Sequence, residues 1–205
     1  EARLAKTDAV LLAMVVATMG ALARAYLGAH RIKPEWAGWT LPTVFWTALG
    51  GGILVKGPLI LLIVGLTIAT LLAIDRSARW LLLLRPLPGL IWLAVLVFPW
   101  FFSILSRGGE TFVVESFGHD MLSKIFRGQE GHGAPPGFYF VVFWATFWPA
   151  ATLAGLAAPS IWASRREKGA RFLLAWLVPA WILFELVVTK LPHYVLPLYP
   201  AVAIL

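Results

Sequence analysis

The residues of this 205-residue chain that can do chemistry fall into a few short groups. Asp8 follows Lys6-Thr7. Lys56 follows Gly50-Gly51-Gly52 at a short distance and directly precedes Gly57-Pro58. Glu115 and His119, then Asp120 and Lys124, are paired at four-residue spacing, and His132 stands between glycines. Lys190 leads Leu191-Pro192-His193-Tyr194. A carboxylate such as Asp8 can act as a base or position a hydroxyl. Fixed lysines can receive an anion and stabilise negative charge as it develops on a leaving group. Each group also has a plainer reading. Asp8 suits a helix N-terminus, with Thr7 or Asp8 as cap. Lys56 suits a snorkelling lysine in a turn, the 115–124 face suits solvent, and Lys190 with His193 and Tyr194 suits an anchored aromatic boundary. Glu115, His119 and His132 permit a divalent metal site without requiring one. Without cysteine, there is no disulfide, thiolate metal site or cysteine nucleophile.

The elements that position these residues are apolar. Hydrophobic residues make up 60% of the chain and charged residues only 13%, about half the usual share of charge; mean hydropathy is +0.82. That excludes a soluble globular domain, a disordered tail and a coiled coil, and leaves an integral membrane protein. A helix crossing the ~30 Å hydrocarbon core needs about 20 apolar residues. Runs at 9–23 (to 27 if Arg24 snorkels), 36–55, 57–74, 86–106, within 138–163 and at 172–189 meet that need, and a last run from 195 begins another. The expectation is an all-α polytopic membrane protein with six transmembrane helices and part of a seventh. Glu185 interrupts the sixth run, where a carboxylate must be neutral or paired. Lys190, five residues on, is the suggested partner, and Glu185 reads as structural.

The sequence pI is near 10, yet in so apolar a chain basic residues flank spans and do not point to nucleic acid. Three short segments at alternate crossings, 24–35, 75–85 and 164–171, hold ten basic and three acidic residues. They carry the whole formal +7 of the chain, and the remainder balances seven against seven. By the positive-inside rule these three face the cytoplasm. Residues 1–8, the Lys56-Gly57-Pro58 turn, the loop 107–137 and the Lys190–Tyr194 segment then share the opposite, outer side. Within that loop, 113–127 has helical periodicity near 100° per residue, with Glu115, His119, Asp120 and Lys124 on one half of the wheel. An amphipathic helix lying in the interface is predicted, followed by a glycine- and proline-rich stretch to Gly137. The whole of 1–205 reads as one transmembrane module without internal repeat. It begins without Met and stops within an apolar run, as an internal fragment would.

These motifs resemble a family. Ala2-Arg3-Leu4-Ala5-Lys6-Thr7-Asp8, Leu54-Val55-Lys56-Gly57-Pro58, the stretch from Glu115 to Lys124, Gly131-His132-Gly133-Ala134-Pro135-Pro136-Gly137 and, most specifically, the stretch from Lys190 through His193-Tyr194 to Pro200 are similar to segments of bacterial membrane-embedded C-type glycosyltransferases, the group of lipid A aminoarabinose transferase and protein O-mannosyltransferase. Val55 stands where the family has Thr. The resemblance runs in order from residue 2 to the end. It implies a polyprenyl-phosphate sugar as donor and a lipid A, glycan or protein hydroxyl or phosphate as acceptor. It places the reaction on the periplasmic side of the bacterial inner membrane, among membrane lipids. It also implies an upstream loop bearing an Asp-Glu pair and a C-terminal region, neither within this chain. Asp8 matches the family's second acidic position. Lys56, Lys124, Lys190, His193 and Tyr194 are then expected to hold the donor phosphate, and Glu115, His119, Asp120 and His132 to contact sugar or acceptor. Two other classes remain. A transporter or flippase would favour charges or broken helices near the midplane and an internal repeat. A non-catalytic membrane subunit would not bind polyprenyl phosphate.

Overall fold

The computed structural model describes residues 2–28, 38–113, 135–187 and 190–205. The described residues are helical: α1 (Ala2–Gly28), α2 (Thr40–Lys56), α3 (Leu59–Asp75), α4 (Pro86–Val113), α5 (Phe138–Thr146), α6 (Ala150–Ala163), α7 (Lys168–Leu186) and α8 (Tyr199–Ile204). Short 3-10 segments lie at Arg79–Leu84, Ser164–Arg166 and Pro192–Leu198. The predicted interfacial helix from 114 on, with Glu115, His119, Asp120 and Lys124, and His132 in the stretch after it lie outside the described residues.

Glycine and proline end the helices where the sequence places them. Gly57 closes α2 with φ at 65° and its N–H on the Ile53 carbonyl at 2.7 Å. A residue with a Cβ would be strained in that left-handed conformation, and Pro58 then enters α3 in helical geometry. This is the tight turn expected at Lys56-Gly57-Pro58.

Among the described residues, three helices are long and apolar enough to cross a membrane, Thr7–Gly28, Pro86–Ile104 and Lys168–Leu186, or four with a bent pair counted as one span. α2 and α3, of 17 residues each, are shorter. The 138–163 run is not one straight helix. α5 and the helical stretch after it form a pair bent by 118°. The break falls at Phe147–Pro149, where proline has no N–H to continue the helical ladder.

α1, α2, α3 and α7 build the core. On α1 the buried positions Leu11, Val15, Thr18, Leu22, Ala25 and Tyr26 follow helical spacing. The hydroxyls of Thr18 and Thr67 are buried but bonded back to the carbonyls of Met14 and Ile63, at 2.7 and 2.8 Å. α2 is the hub. Its three consecutive glycines face three different helices: a Cβ on Gly50 would meet Leu96 of α4, one on Gly51 would meet Met14 of α1, and one on Gly52 would meet Ile60 of α3. Small residues admit such approaches between helices in lipid, where no hydrophobic force draws helices together. α4 reaches α2 again through Gly89, whose place for a Cβ is filled by the Trp46 indole, and that indole donates to the Leu84 carbonyl at 2.7 Å. The other side of α4 carries a stripe of exposed Leu87, Ile91, Val95, Phe98 and Phe102.

The two ends of the bundle differ as the charge pattern anticipates. At one end Asp75 of α3 forms an ion pair with Arg171 of α7 and accepts a hydrogen bond from the Tyr26 hydroxyl of α1 at 2.6 Å. The Tyr26 ring stands edge-on to Trp80. Trp39 and Arg85 lie at this end too, with the guanidinium 4.0 Å over the indole. Asp8, Lys56 and His193 sit at the opposite end.

Gly89→Ala is expected to destabilise the full-length protein by about 1–3 kcal/mol through overpacking against Trp46. Thermal unfolding in detergent checks this, with Gly20→Ala, which meets open space, as the matched control.

Candidate donor-phosphate site

The site is assembled from three chain segments. α1 presents Asp8 in its N-terminal part, α2 presents Lys56 at its last residue, and the 3-10 segment Pro192–Leu198 presents His193. Lys56 Nζ and Asp8 Oδ1 form an ion pair, with both side chains mostly buried. The pair ties the start of α1 to the end of α2, 48 residues apart. It changes the reading of both residues. Asp8 is not only a helix-terminal acid, and Lys56 does not snorkel alone: each is held by the other.

His193 lies within the field of this pair. Burial pushes its imidazole below the ordinary value, the Asp8 carboxylate pulls it upward, and the Lys56 ammonium adds to the lowering. Its ring stands edge-on to Tyr194, with centroids 5.0 Å apart. Lys190 is only 4% exposed, and its ammonium donates to the Val187 carbonyl at 2.8 Å. That is deeper than a boundary anchor would sit. The structure therefore brings Asp8, Lys56 and His193 together and places Lys190 and Tyr194 on the same short segment as His193. Lys124, Glu115, His119, Asp120 and His132 lie outside the described residues, and no group of three metal-ligating side chains occurs among the described ones.

Glu185 does not pair with Lys190. Its two oxygens accept hydrogen bonds from the backbone amides of Gly137 (2.9 Å) and Phe140 (3.0 Å), the first turn of α5. A carboxylate is stable there because the first amides of a helix lack partners and carry partial positive charge. Backbone amides belong to every residue, so no residue type announced this partner. The one available signal was the absence of any capping side chain in Pro135-Pro136-Gly137.

No family model matches the chain. Curated relatives do. An undecaprenyl phosphate-alpha-4-amino-4-deoxy-L-arabinose arabinosyl transferase of Erwinia tasmaniensis is 30% identical over 199 residues, which is 97% of this chain and 35% of the relative. A second transferase of that description, from Pseudomonas fluorescens, is 30% identical over 82% of the chain and 30% of its own length. The chain is homologous to the lipid-linked aminoarabinose transferases. It spans about a third of the length of the curated relatives it matches. Its fold agrees: the crystal structure of ArnT from Cupriavidus metallidurans bound to undecaprenyl phosphate superposes with a TM-score of 0.79 over 97% of this chain and 35% of that one, at 21% identity. The apo structure of the same transferase gives 0.75. The homologous stretch takes in all three segments of the site.

Two outcomes test this geometry. In a double-mutant cycle, Asp8→Asn and Lys56→Met should show a coupling of about 0.5–3 kcal/mol in unfolding free energy; additive effects would mean no pair. The His193 contribution to stability should be complete above its unfolded pKa of about 6.5. It should fall away as pH drops from there through the lowered folded value, because the unfolded chain then binds the extra proton. His193→Gln should flatten that part of an unfolding-versus-pH profile.

Proposed function

We propose that this chain is the part of a lipid-linked-sugar glycosyltransferase that holds the donor's phosphate. The donor is a polyprenyl-phosphate sugar. The acceptor is a hydroxyl or phosphate of lipid A, with a glycan or protein as the wider possibilities of the fold class. The observation that carries the reading is the Asp8–Lys56 pair with His193 beside it, built from segments homologous to transferases that act with undecaprenyl phosphate-linked aminoarabinose.

In this reading the acceptor oxygen attacks the anomeric carbon as the bond from that carbon to the donor phosphate oxygen breaks. The electron pair of the broken bond goes to the departing polyprenyl phosphate, and the acceptor proton goes to a carboxylate base. Charge develops on the phosphate, and fixed cations there lower the barrier. Lys56, Lys190 and, from the outer loop, Lys124 supply them, while His193 and Tyr194 donate hydrogen bonds to phosphate or sugar. Asp8 orients the Lys56 ammonium and assists a base supplied outside this third of the enzyme. Glu115, His119, Asp120 and His132 contact sugar or acceptor, with a divalent metal as an option for that group. The site faces the periplasm at the boundary of the inner membrane, on a bundle of six spans and part of a seventh.

Among the described residues the break between α5 and α6 is a feature that suits a transporter, since half-helices there turn their N-terminal amides toward a substrate. Here amides at the start of α6 already bond locally, Ala151 to the Phe147 carbonyl at 2.8 Å and Thr152 to the Pro149 carbonyl at 3.3 Å.

In the full-length enzyme Asp8→Asn, Lys56→Ala and Lys190→Ala are each expected to lower transfer of aminoarabinose from the undecaprenyl-phosphate donor to lipid A by about 100-fold or more, with membrane insertion intact. Normal rates in all three overturn the site. Release of undecaprenyl phosphate in step with sugar transfer separates an enzyme from a flippase.

A further inference from the structure

α5 begins with a defect. Its N-cap is Gly137, in a left-handed conformation at φ 96° and with no side chain to offer. Pro135 and Pro136 precede it. The first amides of a helix nonetheless need acceptors. Glu185, on the last turn of α7, supplies both oxygens from 45 to 48 residues away. On the same turn of α5, Tyr139 is fully buried. Its hydroxyl is buried without a hydrogen-bond partner among the described residues, close to the Leu191 main-chain amide, and α5 packs against the 3-10 segment Pro192–Leu198 that carries His193. Leu191 lies between Lys190 and His193. The first turn of α5 is thus the floor under the segment that carries those two residues, and the hold on that floor is the Glu185 carboxylate.

We infer that Glu185 is a positioning residue for the donor-phosphate site, capping α5 from across the bundle and so fixing the Lys190-Leu191-Pro192-His193 segment through Tyr139. This rests on the functional reading above. Glu185 does not touch the donor. It acts through two main-chain amides and one buried ring. A glutamine keeps the size but has one acceptor oxygen, and its NH₂ group faces the second amide donor. An aspartate is a methylene too short to reach both amides.

The test uses the full-length transferase in nanodiscs, with undecaprenyl phosphate as the binding probe. Glu185→Ala should speed hydrogen exchange at the Gly137 and Phe140 amides. It should weaken undecaprenyl phosphate binding and raise the donor KM by about tenfold, the scale of losing one hydrogen bond to a charged group. The kcat should stay within about threefold, a small fraction of a site-level loss. Glu185→Gln, which keeps the volume of the side chain, should fall between Glu185→Ala and the parent. Faster exchange with unchanged undecaprenyl phosphate affinity and unchanged donor KM would show a purely structural cap and overturn the inference. Unchanged exchange would overturn it as well. Lys190→Ala separates the two readings: if it abolishes binding and Glu185→Ala does not affect it, this inference alone fails. If the parent protein binds no undecaprenyl phosphate, the functional reading fails with it, while exchange at Gly137 and Phe140 still reports whether the cap exists.

Discussion

A charge in an apolar bundle must find a partner, and this chain settles that demand at the ends of its helices. Asp8 with Lys56, Asp75 with Arg171 and Tyr26, and Glu185 with the first amides of α5 are all clasps between elements far apart in sequence. Between them the helices meet through small residues and close-packed apolar side chains. Such packing gives contact but little direction in lipid, where apolar surface gains nothing by leaving its neighbours. The polar clasps therefore fix which helix end lies beside which. Apolar packing alone would leave helix register loosely specified.

The two ends solve the same problem to different effect. At the Asp75 end a carboxylate meets both a guanidinium and a phenol, and its capacity to accept is well used. That arrangement holds α1, α3 and α7 together. At the Asp8 end the Lys56 ammonium has one carboxylate partner among the described residues and stands close enough to His193 for its charge to be felt there. An ammonium carries three donors, so such a group can exchange part of its pairing for a phosphate oxygen. The same residue types thus serve as a fastening at one end and, under the proposed function, as a receptive cation at the other.

Local chemistry was legible before the fold was known. The turn at Lys56-Gly57-Pro58 follows from the backbone preferences of two residues, and the grouping of charges by alternate crossings follows from counting lysines and arginines. The non-local chemistry was not. Hydropathy sums over a run and is blind to backbone direction, so 138–163 reads as one span although Pro149 divides it. Gly50-Gly51-Gly52 suggests a constrained tip, but its partners Leu96, Met14 and Ile60 lie on three other helices and leave no mark beside the glycines. In the sequence Glu185 points to the nearest cation, because side chains are what a sequence displays, whereas its partners are main-chain amides. Asp8 and Lys56 each stand out by residue type, but only the fold pairs them.

The shortness of α2 and α3 has a mechanical consequence. Seventeen residues rise only about 25 Å as a helix, less than the ~30 Å hydrocarbon core. A span that falls short draws the bilayer thinner around it. The junction of these two helices is Lys56-Gly57-Pro58, so with both helices crossing the bilayer, as proposed, the thinning falls where the cation stands. In that proposal a donor phosphate held there would be carried inward with its leaflet while its tail stays in hydrocarbon. The bundle would then not need to lift a long-chain lipid out of the membrane to meet it.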